Sequence, residues 1–155
     1  MYSEVITAER STQLEYVASE LLPRAALLIR LLVRQLGGEL TRTEVSLLKT
    51  ISGGPRRITE LAELEGLAQP TTTILVKQLE QRGLVRRARR SEDGRVVLVN
   101  LTNAGTAALE DYLAQASTTL GAYLAEITDE QVEALANATE TLAQLVTLLQ
   151  NAPTS

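Results

Sequence analysis

One run constrains the fold of this chain more than any other: QPTTTILVKQLEQRGLVRRARRSEDGRVVLVNLT, from Gln69 to Thr102. Its periodicity changes along its length. Thr72, Leu75, Val76 and Leu79 recur at helical spacing behind Pro70, and a proline suits the first turn of a helix, where its missing N–H has no partner to lose. Arg82-Gly83 ends that pattern. Leu84 to Arg90 then reads as a strand rooted by Leu84 and Val85 and otherwise almost all arginine. Ser91-Glu92-Asp93-Gly94-Arg95 reads as a charged turn, in which Asp-Gly is a strong hairpin signal. Val96 to Leu101 is a β-branched return strand.

The residues just upstream supply a second helix. Thr41 and Glu44 form a T-x-x-E capping box ahead of Val45, Leu47, Leu48 and Ile51, and Gly53-Gly54-Pro55 closes that helix. Ile58 is expected as a short extended residue. Thr59 is expected to cap a brief helix, Glu60 to Glu65, that buries Leu61 and Leu64, with Gly66 allowing a turn into the helix at Gln69. Helix, glycine turn, helix at this spacing is a helix-turn-helix, and the hairpin adds a wing. The expected class is mainly α with a small β-hairpin wing (α+β): a winged helix-turn-helix lobe over 41–101 within one domain of 1–155. In such a lobe the second helix enters the major groove and the hairpin tip lies against the backbone or minor groove.

Helical patterns flank the lobe. Residues 1–10 carry no strong pattern. From Thr12, apolar residues recur at Leu14, Val17, Leu21, Leu28, Leu32 and Leu36, and Gly37-Gly38 ends the run. Pro23 falls inside it and is expected to kink or split the helix. Thr102 caps a long helix with Leu109, Leu113, Ala116, Leu120, Tyr123 and Ile127 on one seam. Thr128 and Gln131 make a second capping box ahead of Val132, Leu135, Thr139, Leu142, Val146 and Leu149. Both seams are heptad-like, and Leu145 and Leu148 give the last helix more apolar surface than one neighbour covers. Residues 12–37 and 102–150 are therefore expected to form a helical dimerisation region. Its expected interface is Leu14, Val17, Leu21, Leu120, Tyr123, Val132, Leu135, Leu142, Val146 and Leu149, with a second copy as the partner.

Composition removes whole classes of function. There is no Cys and no His, so disulfides, thiolate or imidazole metal sites and Ser-His or Cys-His catalysis are excluded. No clustered catalytic carboxylates or phosphate loop stand out, and no enzyme activity, metal or cofactor is expected. Glu4, Glu9 and Glu15 sit where a secretion leader would be basic, and the apolar runs are too short to cross a bilayer. A cytoplasmic protein without membrane contact is expected. The net charge of −4 hides a polarity. Lys77 to Arg95 holds seven basic and three acidic residues, whereas no Lys or Arg follows Arg95 and the remainder carries seven acids. Local field, more than the total, governs contact with a polyanion, so double-stranded DNA is the expected partner.

The run Asp93-Gly94-Arg95-Val96-Val97-Leu98-Val99-Asn100-Leu101-Thr102 resembles the D-x-R-x-x-x-V-x-L-T signature of the MarR family of bacterial regulators. Leu79-Glu80-Gln81-Arg82-Gly83-Leu84-Val85-Arg86-Arg87 resembles the family's L-x-x-x-G-L-V-x-R. The spacing of the two runs fits, and the order of helices matches from about Leu14 to Leu149. The resemblance implies a homodimer with interlocking terminal helices and two winged lobes on a pseudo-palindromic operator, usually as a repressor. It also implies a small phenolic or lipophilic effector that binds between the dimer region and the lobe and weakens DNA binding. Without Cys, the chain departs from the family's thiol-oxidation branch.

Candidate residues follow from position and from this resemblance. Arg95 is the wing arginine that the resemblance places in the minor groove, where narrow A·T-rich segments attract guanidinium, with Asp93 two residues away to brace it; the bland alternative is a solvated turn. Arg87 and Arg89 share one strand face and Arg86, Ala88 and Arg90 the other, so about half of these arginines are expected to touch phosphates. The rest are expected to be solvated or paired to Glu80 or Glu92. Gln69, Pro70, Thr71, Thr73, Ile74 and Lys77 are the recognition-helix candidates, with Thr71 equally suited to a helix-start hydrogen bond. Arg30 and Arg34, one turn apart, are candidates for an anionic-ligand cleft or for a solvated face. Thr73 and Arg87 match positions that the resemblance ties to a ligand in some members. A rival reading keeps the winged shape as a protein-interaction module that docks a partner through its acidic C-terminal helices.

Overall fold

The computed structural model describes residues 2–90 and 93–152, and the side chains of residues 8–89 and 96–152. Among the described residues, six helices and one hairpin run in the order α1 (Tyr2–Gln35), α2 (Arg42–Ser52), α3 (Ile58–Glu65), α4 (Gln69–Gln81), β1 (Val85–Arg90), β2 (Asp93–Leu101), α5 (Asn103–Leu124) and α6 (Asp129–Gln150). The chain divides into two compact units, 1–116 and 117–155.

In the first unit the core is built from short helices and the roots of the strands. Leu47, Leu48 and Ile51 of α2, Leu61 of α3, Val76 and Leu79 of α4, Val85 and Val99 of the hairpin and Leu109 of α5 form one buried cluster. Thr72 is also fully buried, and its hydroxyl donates to the Ala68 carbonyl at 3.3 Å. The two helices of the expected pair, α3 and α4, pack together, and α2 and β1 pack against them. Gly66 ends α3 at φ +62°, a left-handed conformation that only a residue without Cβ adopts freely, and this lets the chain turn into α4. The capping box at Thr41 forms as expected: the Glu44 N–H donates to Thr41 Oγ1 at 3.2 Å and the Thr41 N–H to Glu44 Oε2 at 2.7 Å.

Four expectations need correction. First, α1 runs unbroken from Tyr2 to Gln35, so Pro23 does not split it. A proline interior to a helix forfeits one hydrogen bond, and here strong helix formers such as Ala18, Leu21, Leu22, Ala25 and Ala26 surround it. Second, α3 begins at Ile58 rather than Glu60. Its cap is Arg57, whose N–H donates to the Glu60 carboxylate at 2.8 Å, so Thr59 does not cap it. The extended backbone falls instead on Arg56, which exchanges both backbone hydrogen bonds with Val99, at 3.2 and 2.8 Å. Third, Leu64 is 63% exposed. With Leu61 and Ala62 both buried, the inward face of α3 runs on to Glu65, which accepts the Thr50 hydroxyl at 2.5 Å; Leu64 is turned away. Fourth, the hairpin pairs further toward its tip than the Asp-Gly signal implies. Arg90 faces Asp93 while Arg89 faces Val97, so Gly94, Arg95 and Val96 lie on a bulged stretch of β2.

The root of the wing is tied to α5. The Thr102 N–H donates to the Leu84 carbonyl at 3.1 Å and its hydroxyl donates to the Gly83 carbonyl at 2.6 Å. The same oxygen accepts the Gly105 N–H at 3.0 Å and so caps α5 as expected. In the second unit the Thr128–Gln131 box caps α6. No residue of α6 is buried within the single chain.

Candidate nucleic-acid interface

Helix α4 sorts its side chains cleanly. Thr72, Val76 and Leu79 are buried and Leu75 packs against the core, which fixes the rotation of the helix. Gln69, Pro70, Thr71, Thr73, Ile74 and Lys77 are consequently all exposed. Ile74, at 58% exposed, is an apolar side chain held out in water beside polar groups that can read base edges. Ala68, the residue before the helix, supplies no side-chain cap, so the first N–H groups of α4 are open to solvent or to an anion. The Thr73 hydroxyl donates to the Gln69 carbonyl at 2.9 Å, so its proton is already engaged while the side chain stays exposed.

The wing's arginines divide by strand face. Arg87 lies opposite the buried Val99 and Arg89 opposite Val97, on the face that meets α4. Glu80 of α4 accepts the Arg87 Nε–H at 2.8 Å on Oε2, with a further bond from Nη2, and accepts the Arg87 backbone N–H at 3.1 Å on Oε1. That hydrogen bonding holds the Glu80 carboxyl below its ordinary range and raises Arg87. Arg86 is on the opposite face, where it lines a cleft of about 440 Å³ with Lys49, Asn100 and Glu110. Arg89 is exposed. The side chains of Arg90, Asp93 and Arg95 lie outside the described residues, as does all of Glu92.

Two further groups matter to this face. Glu44, only 6% exposed, accepts Arg82 Nη1 at 2.8 Å while its other oxygen serves the Thr41 cap. Arg82 Nη2 also donates to the Glu39 carbonyl at 3.3 Å. The C-terminal end of α4 is thereby anchored to the N-terminal end of α2. The sequence marks Arg82 only as a helix end, and nothing local joins it to a residue 38 positions earlier. The candidate ligand arginines meet elsewhere. Arg30 and Arg34 of α1 line a groove of about 500 Å³ with Arg42, Leu27 and Val33, and neither Thr73 nor Arg87 borders it.

These features define a winged helix-turn-helix protein with a polar helix face set beside an arginine-rich hairpin. The MarR family model matches residues 40–97. The chain is similar to the HTH-type transcriptional repressor MdtR of Bacillus subtilis (strain 168), at 31% identity over 91 residues, covering 59% of each chain. It is also similar to two solved structures. One is a probable transcriptional regulator from Pseudomonas aeruginosa: 30% identity, 80% of this chain and 95% of that one, TM-score 0.59. The other is a MarR family protein from Bacillus stearothermophilus: 28% identity, 93% and 97% covered, TM-score 0.61. Residues 40–97 thus carry a MarR family domain, which the chain shares with transcriptional regulators. Among the described residues, no helix is long and apolar enough to cross a membrane.

Proposed function

We propose that this protein is a homodimeric transcriptional repressor that binds a pseudo-palindromic operator through α4 and the wing and is released by a small phenolic or lipophilic ligand. The observation that carries this reading is the exposure of Gln69, Pro70, Thr71, Thr73, Ile74 and Lys77 on one helix face beside Arg87 and Arg89. The helix face reads bases; the arginines, with Arg90 and an Arg95 braced by Asp93, engage phosphates and the minor groove. Residues 41–101 act as the DNA-binding lobe, and 12–37 with 102–150 as the dimer region. The dimer is supported by apolar side chains left open in the single chain, including Leu14 at 60%, Tyr123 at 56%, Val146 at 52% and Leu149 at 76% exposed. The groove of Arg30, Arg34 and Arg42, floored by Leu27 and Val33, suits a ligand with an apolar body and an acidic group.

The test is selection of bound duplexes from a random pool, followed by affinity measured across a salt series. Enriched duplexes should carry inverted half-sites about one helical turn apart, roughly 34–36 Å. Binding should weaken steeply with salt as phosphate contacts release counter-ions. No enrichment, and no duplex binding at low salt, would overturn the reading in favour of a protein-docking module.

A further inference from the structure

The junction between α4 and the wing contains an acid where a DNA-binding surface gains most from bases. Glu80 lies one helical turn beyond Lys77 on α4, and its carboxylate takes up two donors of Arg87 as well as that residue's backbone N–H. Both side chains are partly open, 31% exposed for Glu80 and 39% for Arg87, so an approaching phosphate can reach the pair. A guanidinium has five N–H donors. Two are engaged by Glu80, and the others, which have no partner among the described residues, can meet a phosphate only beside the carboxylate's negative charge. We propose that Glu80 is a built-in counter-ion for Arg87: it competes with duplex phosphate for that guanidinium and so holds down indiscriminate DNA binding.

This rests on the DNA-binding reading above and adds to it a residue that sets the overall strength of duplex binding. Any duplex offers phosphates, so a free Arg87 would strengthen binding to every sequence equally. With Glu80 in place, the Arg87–phosphate contact must replace an existing ion pair, and its net gain is small. Base contacts by α4 are untouched by this competition. Non-specific affinity is thereby held down, while the ratio of specific to non-specific affinity stays nearly the same. The lowered pKa of Glu80, caused mainly by the Arg87 hydrogen bond, agrees with a carboxylate that stays charged throughout the neutral range.

Glu80→Gln separates charge from scaffold, because the glutamine carbonyl can still accept the Arg87 backbone N–H while the negative charge is gone. The experiment measures binding of full-length wild type, Glu80→Gln, Arg87→Gln and the double variant to random-sequence duplex and to the selected operator across a salt series. Glu80→Gln should bind random duplex about two- to five-fold more tightly, the scale of one exposed ion pair. Its log–log salt slope should steepen by about 0.9, one added phosphate contact. Its operator-to-random ratio should stay close to that of wild type, because the added phosphate contact is common to both duplexes. In the Arg87→Gln background the same change should produce little of this effect. Unchanged or weaker random-duplex binding by Glu80→Gln would overturn the proposal while leaving the DNA-binding reading intact. So would an undiminished effect in the Arg87→Gln background, since Glu80 would then act by general repulsion. A wild type that binds no duplex at low salt would instead remove the DNA-binding reading, and this proposal with it.

Discussion

Gly105 lies where α5 meets the root of the wing, and a Cβ there would sit 1.9 Å from the Leu84 carbonyl oxygen and 2.9 Å from Leu101 Cδ1. Inside a helix, Gly→Ala ordinarily gains about 1 kcal/mol. Here the obstacle is backbone that also accepts the Thr102 N–H, so it cannot yield without loosening the wing. Gly105→Ala should therefore destabilise the fold by about 1–3 kcal/mol, the scale of an overpacked core, read as a lower urea midpoint at unchanged slope. The Glu80–Arg87 pair gives a second residue-scale expectation. A carboxylate with a depressed folded pKa contributes stability that is complete above its unfolded value and is lost as pH falls through the folded one. Glu80 is lowered from 4.5, mainly by the Arg87 hydrogen bond, so wild type should exceed Glu80→Gln by no more than about 1 kcal/mol at pH 7. That difference should vanish in unfolding curves taken well below pH 4.5.

Between elements, the Arg82–Glu44 bond fixes how α4 leans on α2. Replacing Arg82 with Met would leave a nearly buried carboxylate short of one partner, at a cost of about 1–3 kcal/mol in urea unfolding. If Arg82→Met unfolds at the wild-type midpoint, the bond does not hold the helix end. This contact also marks the limit of what the sequence discloses. Thr41, Gly66, Pro70, Thr102 and Thr128 act on backbone within a few residues of themselves, and their helix starts and stops were legible for that reason. The exposed set on α4 was legible too, because Thr72, Val76 and Leu79 fix its rotation by period alone. Pairings that depend on packing were not. Glu44 meets Arg82 across 38 positions, Arg56 joins the hairpin edge at Val99, and Gly105 abuts Leu84; no local pattern encodes those meetings. Leu64 misled because a helix as short as α3 lets Glu65 take the inward place.

At the scale of the whole molecule, the distribution of charge and apolar surface argues for a pair of chains. Beyond Arg95 there is no cation at all, so α5 and α6 have no ion pairs of their own with which to close a helical interface. What they offer is apolar: Val132, Leu135, Leu142, Leu145 and Val146 are each 39–52% exposed, and α6 buries nothing in the single chain. A helix with that much open leucine and valine is stable in water only when something covers it, and a second copy presents the same seam in the same register. The acids of this segment, Glu126 to Glu140, give it no attraction for a polyanion, whereas the basic wing has one. Wild type should sediment as a dimer, and Leu142→Asp together with Val146→Asp should give a monomer at the same concentrations. The thermal midpoint of wild type should rise with protein concentration, and that of the variant should not. Operator affinity should fall by about 10²- to 10⁴-fold as two linked lobes become one, while binding to a single half-site changes little. A double variant that remains dimeric, or a wild type that sediments as a monomer, would place the self-association surface elsewhere or remove it.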